Sequence, residues 1–137
     1  MIVADTNVVL KWAIDEDSCE AARKLIGQAV LAPDLILVEL GHVLTKKVRR
    51  RELEATDART AYTQLPLLLE ITSSRPYEQR AFELALQLQH AIADCYFLAL
   101  AETADMPLVT ADHVFLKKVR AAFPTFDARG LGETPQV

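Results

Sequence analysis

Four acidic residues interrupt otherwise apolar stretches: Asp5 in MIVADTNVVL, Glu39 in LILVEL, Asp94 in AIADCYFLALAETA and Asp112 just after LVTA. An unpaired carboxylate is costly to take out of water, so each of the four needs a cation, a hydrogen-bond donor or a proton. Two of them have a plain structural alternative. Asp5 ends a strand-like run and Asp112 precedes a helical pattern, so either can be only a cap or turn residue. Glu39 and Asp94 lie inside helical turns where no cap is needed, and pairing with an arginine is the competing explanation for them. As a set, the four acids point to one convergent site. Carboxylates unaccompanied by thiolates or paired imidazoles favour Mg²⁺ or Mn²⁺, and phosphoryl transfer is the chemistry that most often uses such ions.

Other constellations carry less. Glu39 and His42 form a single Glu-x-x-His, whereas a di-iron bundle needs that motif on two helices. His90 stands four residues before Asp94 and reaches the site only if the helix extends that far back; His42, His90 and His113 otherwise read as ordinary surface or supporting residues. No Gly-rich phosphate loop and no Ser-His-Asp or Cys-His arrangement is present. Trp12, Tyr62 and Tyr96 have the chemistry to stack bases, with packing as the simpler reading.

The elements that must position the acids follow from periodicity. The first strand ends at Asp5, and a short helix is expected over 8–12. A polar connection over 15–18 leads, with Ser18 as cap, into a helix over 19–28. A second strand is expected over 29–32. Pro33 and Asp34 then open a long helix to about residue 50, with Asp34 as its cap. A helix over 56–65 ends at Pro66, and a third strand is expected over 67–71. The helix over 77–89 should turn Phe82, Leu84, Ala85 and Leu88 inward, with a break at His90. A very apolar helix follows over 91–104, then a fourth strand over 108–110, a helix over 112–122 and a short fifth strand over 124–127. Strands alternating with helices in this way predict an α/β fold, with a parallel sheet of about five strands flanked by helices on both faces. Asp5 and Asp112 would then share the carboxyl edge of the sheet, where open α/β sheets bind ligands.

Length and composition suit one domain over 1–137, with a loose tail from about 129. The chain has 137 residues, 51% of them hydrophobic, and its two cysteines match no metal or disulfide spacing. Both thiols read as buried groups of a reducing compartment. No apolar run reaches the roughly 18 to 20 residues of a membrane span, and the start lacks a signal-peptide pattern, so a cytoplasmic protein is expected. A net charge of −4 argues against a basic coat, yet Lys46, Lys47, Arg49, Arg50 and Arg51 crowd into six residues and can make one positive face for phosphates. The alternative there is a solvated helix end whose cations favour the C-terminal dipole.

At these residues the chain resembles the PIN-domain ribonucleases, in particular the small VapC-type toxins of toxin–antitoxin pairs. The resemblance rests on ADTNVVL at 4–10, PDLILVEL at 33–40, IADCYFLALAE at 92–102 and VTADHVFLKK at 109–118, and it covers nearly the whole chain. It implies metal-binding, catalytic carboxylates at Asp5, Glu39, Asp94 and Asp112, with Thr6, Asn7 and Thr110 as supporting polar residues. It further implies one or two Mg²⁺ or Mn²⁺ ions, hydrolysis of RNA phosphodiester bonds that halts translation, homodimers and a cognate VapB-type antitoxin. A non-catalytic RNA-binding or protein-interaction module on the same fold is the alternative. A phosphatase using Asp5 as nucleophile is weaker, because that pattern wants an acid where Asn7 stands.

Overall fold

The computed structural model describes residues 1–14 and 17–133. Five parallel strands form one sheet: β1 (Ile2–Ala4), β2 (Val30–Pro33), β3 (Glu70–Thr72), β4 (Leu108–Thr110) and β5 (Ala128–Gly130), in the order β3-β2-β1-β4-β5. Parallel neighbours need crossovers, and these are α1 (Thr6–Leu10), α2 (Cys19–Arg23), α3 (Ile36–Arg49), α4 (Ala55–Gln64), α5 (Glu78–Leu88), α6 (Ile92–Ala104) and α7 (His113–Ala122). The consecutive residues Ile2, Val3 and Ala4 are all buried. Since successive side chains point to opposite faces, both faces of β1 are covered.

The strand order makes a site at one place. From β1 the chain winds outward through β2 and β3, then returns to the other side of β1 for β4 and β5. The winding therefore reverses between β1 and β4, whose registers pair Val3 with Leu108 and Ala4 with Val109. At such a reversal the connections after the two strands diverge and leave a crevice at their carboxyl ends. Asp5 follows β1 directly and Asp112 follows β4 by one residue, so both acids stand at its rim.

Helix α6 ties this edge to the core. Cys95, Phe97, Leu98, Ala99, Leu100 and Ala101 are buried, and the helix packs on β1, β2 and β4. Its first turn carries Asp94. Helix α3 buries Ile36, Leu40 and Leu44, a 3.6-residue stripe that leaves Glu39 beside it, half-buried. Trp12 is buried and donates its indole N–H to the Ala22 carbonyl at 2.8 Å, which fixes it as packing. Tyr96 is half-buried against the core.

Several boundaries differ from the sequence expectation. Helix α1 begins at Thr6, not residue 8, because Asp5 itself caps it. Ser18 precedes α2 in a left-handed conformation (φ 67°) and makes no side-chain cap, and α2 ends at Arg23. Cys95 is buried but Cys19 only half-buried. Asp34 does not cap α3; its carboxylate accepts from the Ser74 backbone N–H at 3.0 Å and from the Ser74 hydroxyl. Residues 65–68 form a 3₁₀ turn around Pro66, and β3 starts at Glu70. In α5 the buried stripe is Ala81, Leu84 and Leu88, so Phe82, roughly 100° away around the helix, is exposed. The fifth strand lies at Ala128–Gly130, so Arg129 and Gly130 belong to the sheet and not to a tail. Asp15 and Glu16 of the expected polar connection, and 134–137 of the expected tail, lie outside the described residues. Among the described residues no single helix is long and apolar enough to cross a membrane.

Candidate active site

Asp5 is placed by backbone geometry before its side chain acts. Its N–H donates to the Val109 carbonyl at 3.2 Å, continuing the β1–β4 pairing by one residue. Its extended conformation (φ −76°, ψ 170°) makes it the N-cap of α1. One carboxylate oxygen, Oδ1, accepts the Val8 N–H at 3.1 Å, and Oδ2 accepts the Thr110 hydroxyl. Thr110 Oγ1 in turn accepts the Asp112 N–H at 3.0 Å, so one hydroxyl links the ends of both central strands. Asp112 caps α7 through Oδ1, which accepts from Val114 and Phe115 N–H at 3.0 Å each. The capping and site roles of Asp5 and Asp112 are therefore not alternatives: helix caps aim both carboxylates at the same edge.

Glu39 reaches the crevice from α3 and accepts the Thr6 hydroxyl at 2.7 Å through Oε1. Asp94 reaches it from α6. Asp5, Thr6, Asn7, Glu39, His42 and Asp94, with Val38 and Val43, line one cleft of about 270 Å³. Asp112 joins from the β4 side: His90 Nε2 lies 2.7 Å from Asp94 Oδ2 and 3.7 Å from Asp112 Oδ2. Thr6 and Thr110 are buried among the acids, whereas Asn7 lines the cleft from an exposed position.

The electrostatics record the crowding. Burial pushes the Asp5 carboxyl up to about 7; the Thr110 and Val8 hydrogen bonds oppose this, and the Asp94 charge adds to it. Glu39 is also raised, by burial first and by Asp94, against the Thr6 bond and His42. Asp94 is thus felt by both and joins the two halves of the site. Asp5, Glu39 and Asp94 converge on the cleft from three elements, with Asp112 beside them across His90, and carboxylate oxygens of this kind suit Mg²⁺ or Mn²⁺. The residues fit such an ion.

The cation run lies on the same helix as Glu39. Lys46, Lys47 and Arg49 fall in the last turn of α3, roughly 10 to 15 Å along its axis from Glu39. Arg49, Arg50 and Arg51 are exposed, Lys46 and Lys47 half-buried, and Lys47 pairs with Glu52 at 3.7 Å. His90, which the sequence offers as a surface or supporting residue beside His42 and His113, stands in the site although α6 does not extend back to it. The signal was its four-residue spacing to Asp94, which counts only because α6 begins just after it.

The PIN domain family matches residues 2–121. Ribonuclease VapC12 of Mycobacterium tuberculosis is 30% identical over 82% of this chain and 87% of that protein. Ribonuclease VapC1 of the same organism is 36% identical over 59% of this chain and 61% of its own length, so the matched stretch spans less than two thirds of that relative. Two solved structures share the fold. PAE2754 from Pyrobaculum aerophilum superposes with a TM-score of 0.71 at 19% identity, covering 95% of this chain and 90% of the other. A toxin–antitoxin complex from Klebsiella pneumoniae gives 0.65 at 16% identity, covering 98% and 100%.

Proposed function

The chain belongs to the VapC branch of the PIN-domain family, and from that premise we propose that it is a divalent-metal-dependent endoribonuclease, the toxin of a VapBC-type pair. The observation that carries the reading is the convergence of Asp5, Glu39 and Asp94 on one cleft, with Asp112 joined through Thr110 and His90. Asp5, Asp94, Asp112 and Glu39 would hold Mg²⁺ or Mn²⁺, one ion or two. When bound, such an ion supplies charge stabilisation at a scissile phosphate and lowers the pKa of water at neutral pH.

The protein's own groups do the rest. The Val8 N–H and Thr110 hydroxyl hold both oxygens of Asp5 in a fixed direction, so that its charge is preorganised. Glu39, steadied at Oε1 by Thr6, turns Oε2 either to hold the ion or to orient a water beside it. Asn7 and His42 lie at the cleft and offer polar contacts to ribose or phosphate. Lys46, Lys47, Arg49, Arg50 and Arg51 hold flanking phosphates without reading bases. Cutting RNA needed for protein synthesis inhibits translation, and the site of action is the cytoplasm.

Two surfaces support the expected partners. Between α3 and α4 runs a groove of about 620 Å³ lined by Leu44, Val48, Ala58 and Tyr62, with Arg49 and Arg59 at its edge. A Cβ at Gly41 would stand 3.2 Å from the Tyr62 ring, so the glycine lets that ring close over α3. This apolar trough with a cationic rim suits an amphipathic antitoxin segment carrying acids. Separately, Phe82 and Leu86 on α5, Ile92 on α6 and Val114 on α7 are exposed on helices that pack together, which suits self-association.

Incubating the purified protein with RNA should give cleavage in Mg²⁺ or Mn²⁺ and none in chelator. Asp94→Asn should lower the rate by more than the roughly 10–100-fold that changes around metal ligands cost. Cleavage that persists both in chelator and in Asp94→Asn would refute the reading. RNA binding without ion uptake would instead favour the non-catalytic module.

A further inference from the structure

The segment between α5 and α6 places a histidine where the acids meet. Gln89 ends α5 in a left-handed conformation (φ 50°), and this turn brings His90 back over the mouth of the site. The ring is nearly buried, with 11% of its side chain exposed. It stacks on Phe115 at 4.5 Å between centroids and 28° between planes. Lys118, on α7, donates to the Gln89 carbonyl at 2.8 Å and lies 3.3 Å from His90 Nδ1. An ammonium has only donors, so Nδ1 is the acceptor and the ring proton sits on Nε2. That N–H points at Asp94 Oδ2, 2.7 Å away, with Asp112 Oδ2 at 3.7 Å.

Resting on the metal-site reading above, we propose that His90 is a positioning residue of the site: its Nε2–H binds and orients Asp94 on the side that faces Asp112, and it is not itself a ligand. The distances alone would also allow a site in which His90, Asp94 and Asp112 each offer one atom, since these lie within 4.8 Å of one another. A ligating nitrogen needs its lone pair, however, and Lys118 holds the ring in the tautomer whose lone pair faces away. The donor set therefore stays all-oxygen, which favours Mg²⁺ and Mn²⁺ over Zn²⁺. The bond at Asp94 Oδ2 also leaves Asp94 Oδ1 in a fixed direction.

The test measures metal binding, not cleavage. Mn²⁺ affinity is read by electron paramagnetic resonance for the wild type, His90→Ala, His90→Gln and Lys118→Met, with thermal melts to confirm folding. The ring tautomer is read from ¹⁵N NMR of the wild type with and without Mg²⁺. His90→Ala should weaken Mn²⁺ binding about 10-fold or more, and His90→Gln, which keeps an N–H donor, should return to within a few-fold of wild type. Lys118→Met frees the ring to present its lone pair, so Zn²⁺ should gain on Mn²⁺ several-fold. The NMR should show Nε2 protonated in both states. A bare Nε2, or equal losses in the Ala and Gln variants, would overturn the proposal, as would unchanged Mn²⁺ binding in His90→Ala. A wild-type protein that binds no Mn²⁺ would overturn the metal-site reading itself and this inference with it.

Discussion

Asp5→Asn is expected to abolish RNA cleavage and, in chelator at pH 8, to make the fold more stable. Asn keeps the shape of Asp, still accepts the Val8 N–H, and can donate to Thr110 Oγ1, at the cost of the acceptor that the Thr110 hydroxyl has in Asp5 Oδ2. What it removes is a buried charge. The folded protein holds Asp5 protonated up to about pH 7, whereas the unfolded chain releases that proton near the ordinary value of 3.8. Between those values the native state binds more protons than the unfolded one. Stability from this group is therefore greatest at low pH and falls as pH rises through the window, by about 1.4 kcal/mol per unit and about 4 kcal/mol in all. Melting curves of wild type and variant in chelator should converge near pH 4 and separate toward pH 8, with the variant higher. Divalent ions should then raise the wild-type melting temperature at pH 8 by mass action and leave the variant largely unmoved. Parallel melting profiles across pH would contradict the burial argument.

Phe97→Ala should cost about 3–5 kcal/mol, a large share of the stability of a domain of this size. Phe97 is 1% exposed on the helix that packs on β1, β2 and β4. Equilibrium unfolding in urea should show the midpoint moved down sharply. Because Asp94 lies one turn before Phe97 on α6, the cavity also loosens the anchor of the site, so surviving folded protein should bind Mn²⁺ more weakly. A loss below about 1 kcal/mol would mean that α6 is not the central support.

The parts of the fold that declared themselves in the sequence are those whose residues do one job. Strands β1 and β4 are short apolar runs buried on both faces, and their patterning shows directly. The four acids were visible because each breaks such a run. Asp5 and Asp112 posed a choice between cap and site that the geometry dissolves, since one oxygen of Asp112 caps α7 while the other turns inward. The fifth strand is legible as an element but not in its place: the sequence puts it at 124–127, whereas Ala128–Gly130 is the strand because Leu108, Val109 and Thr110 offer it partners, and Ala-Arg-Gly has no β pattern of its own. Asp34 likewise found its partner at Ser74, forty residues away, which no local rule anticipates. His90 was legible only as a conditional neighbour of Asp94, because Asp112 and Lys118, which give its ring meaning, come from a different element.

Anomalous diffraction from crystals grown with Mn²⁺ tests the central claim most directly, because it locates the ion without reference to activity. Density within coordinating distance of Asp94, bounded by Asp5, Glu39 and Asp112, is the result predicted, and it should vanish in Asp94→Asn. Mn²⁺ bound only at surface carboxylates such as Glu52 or Glu83, with the cleft empty at saturating ion, would contradict it.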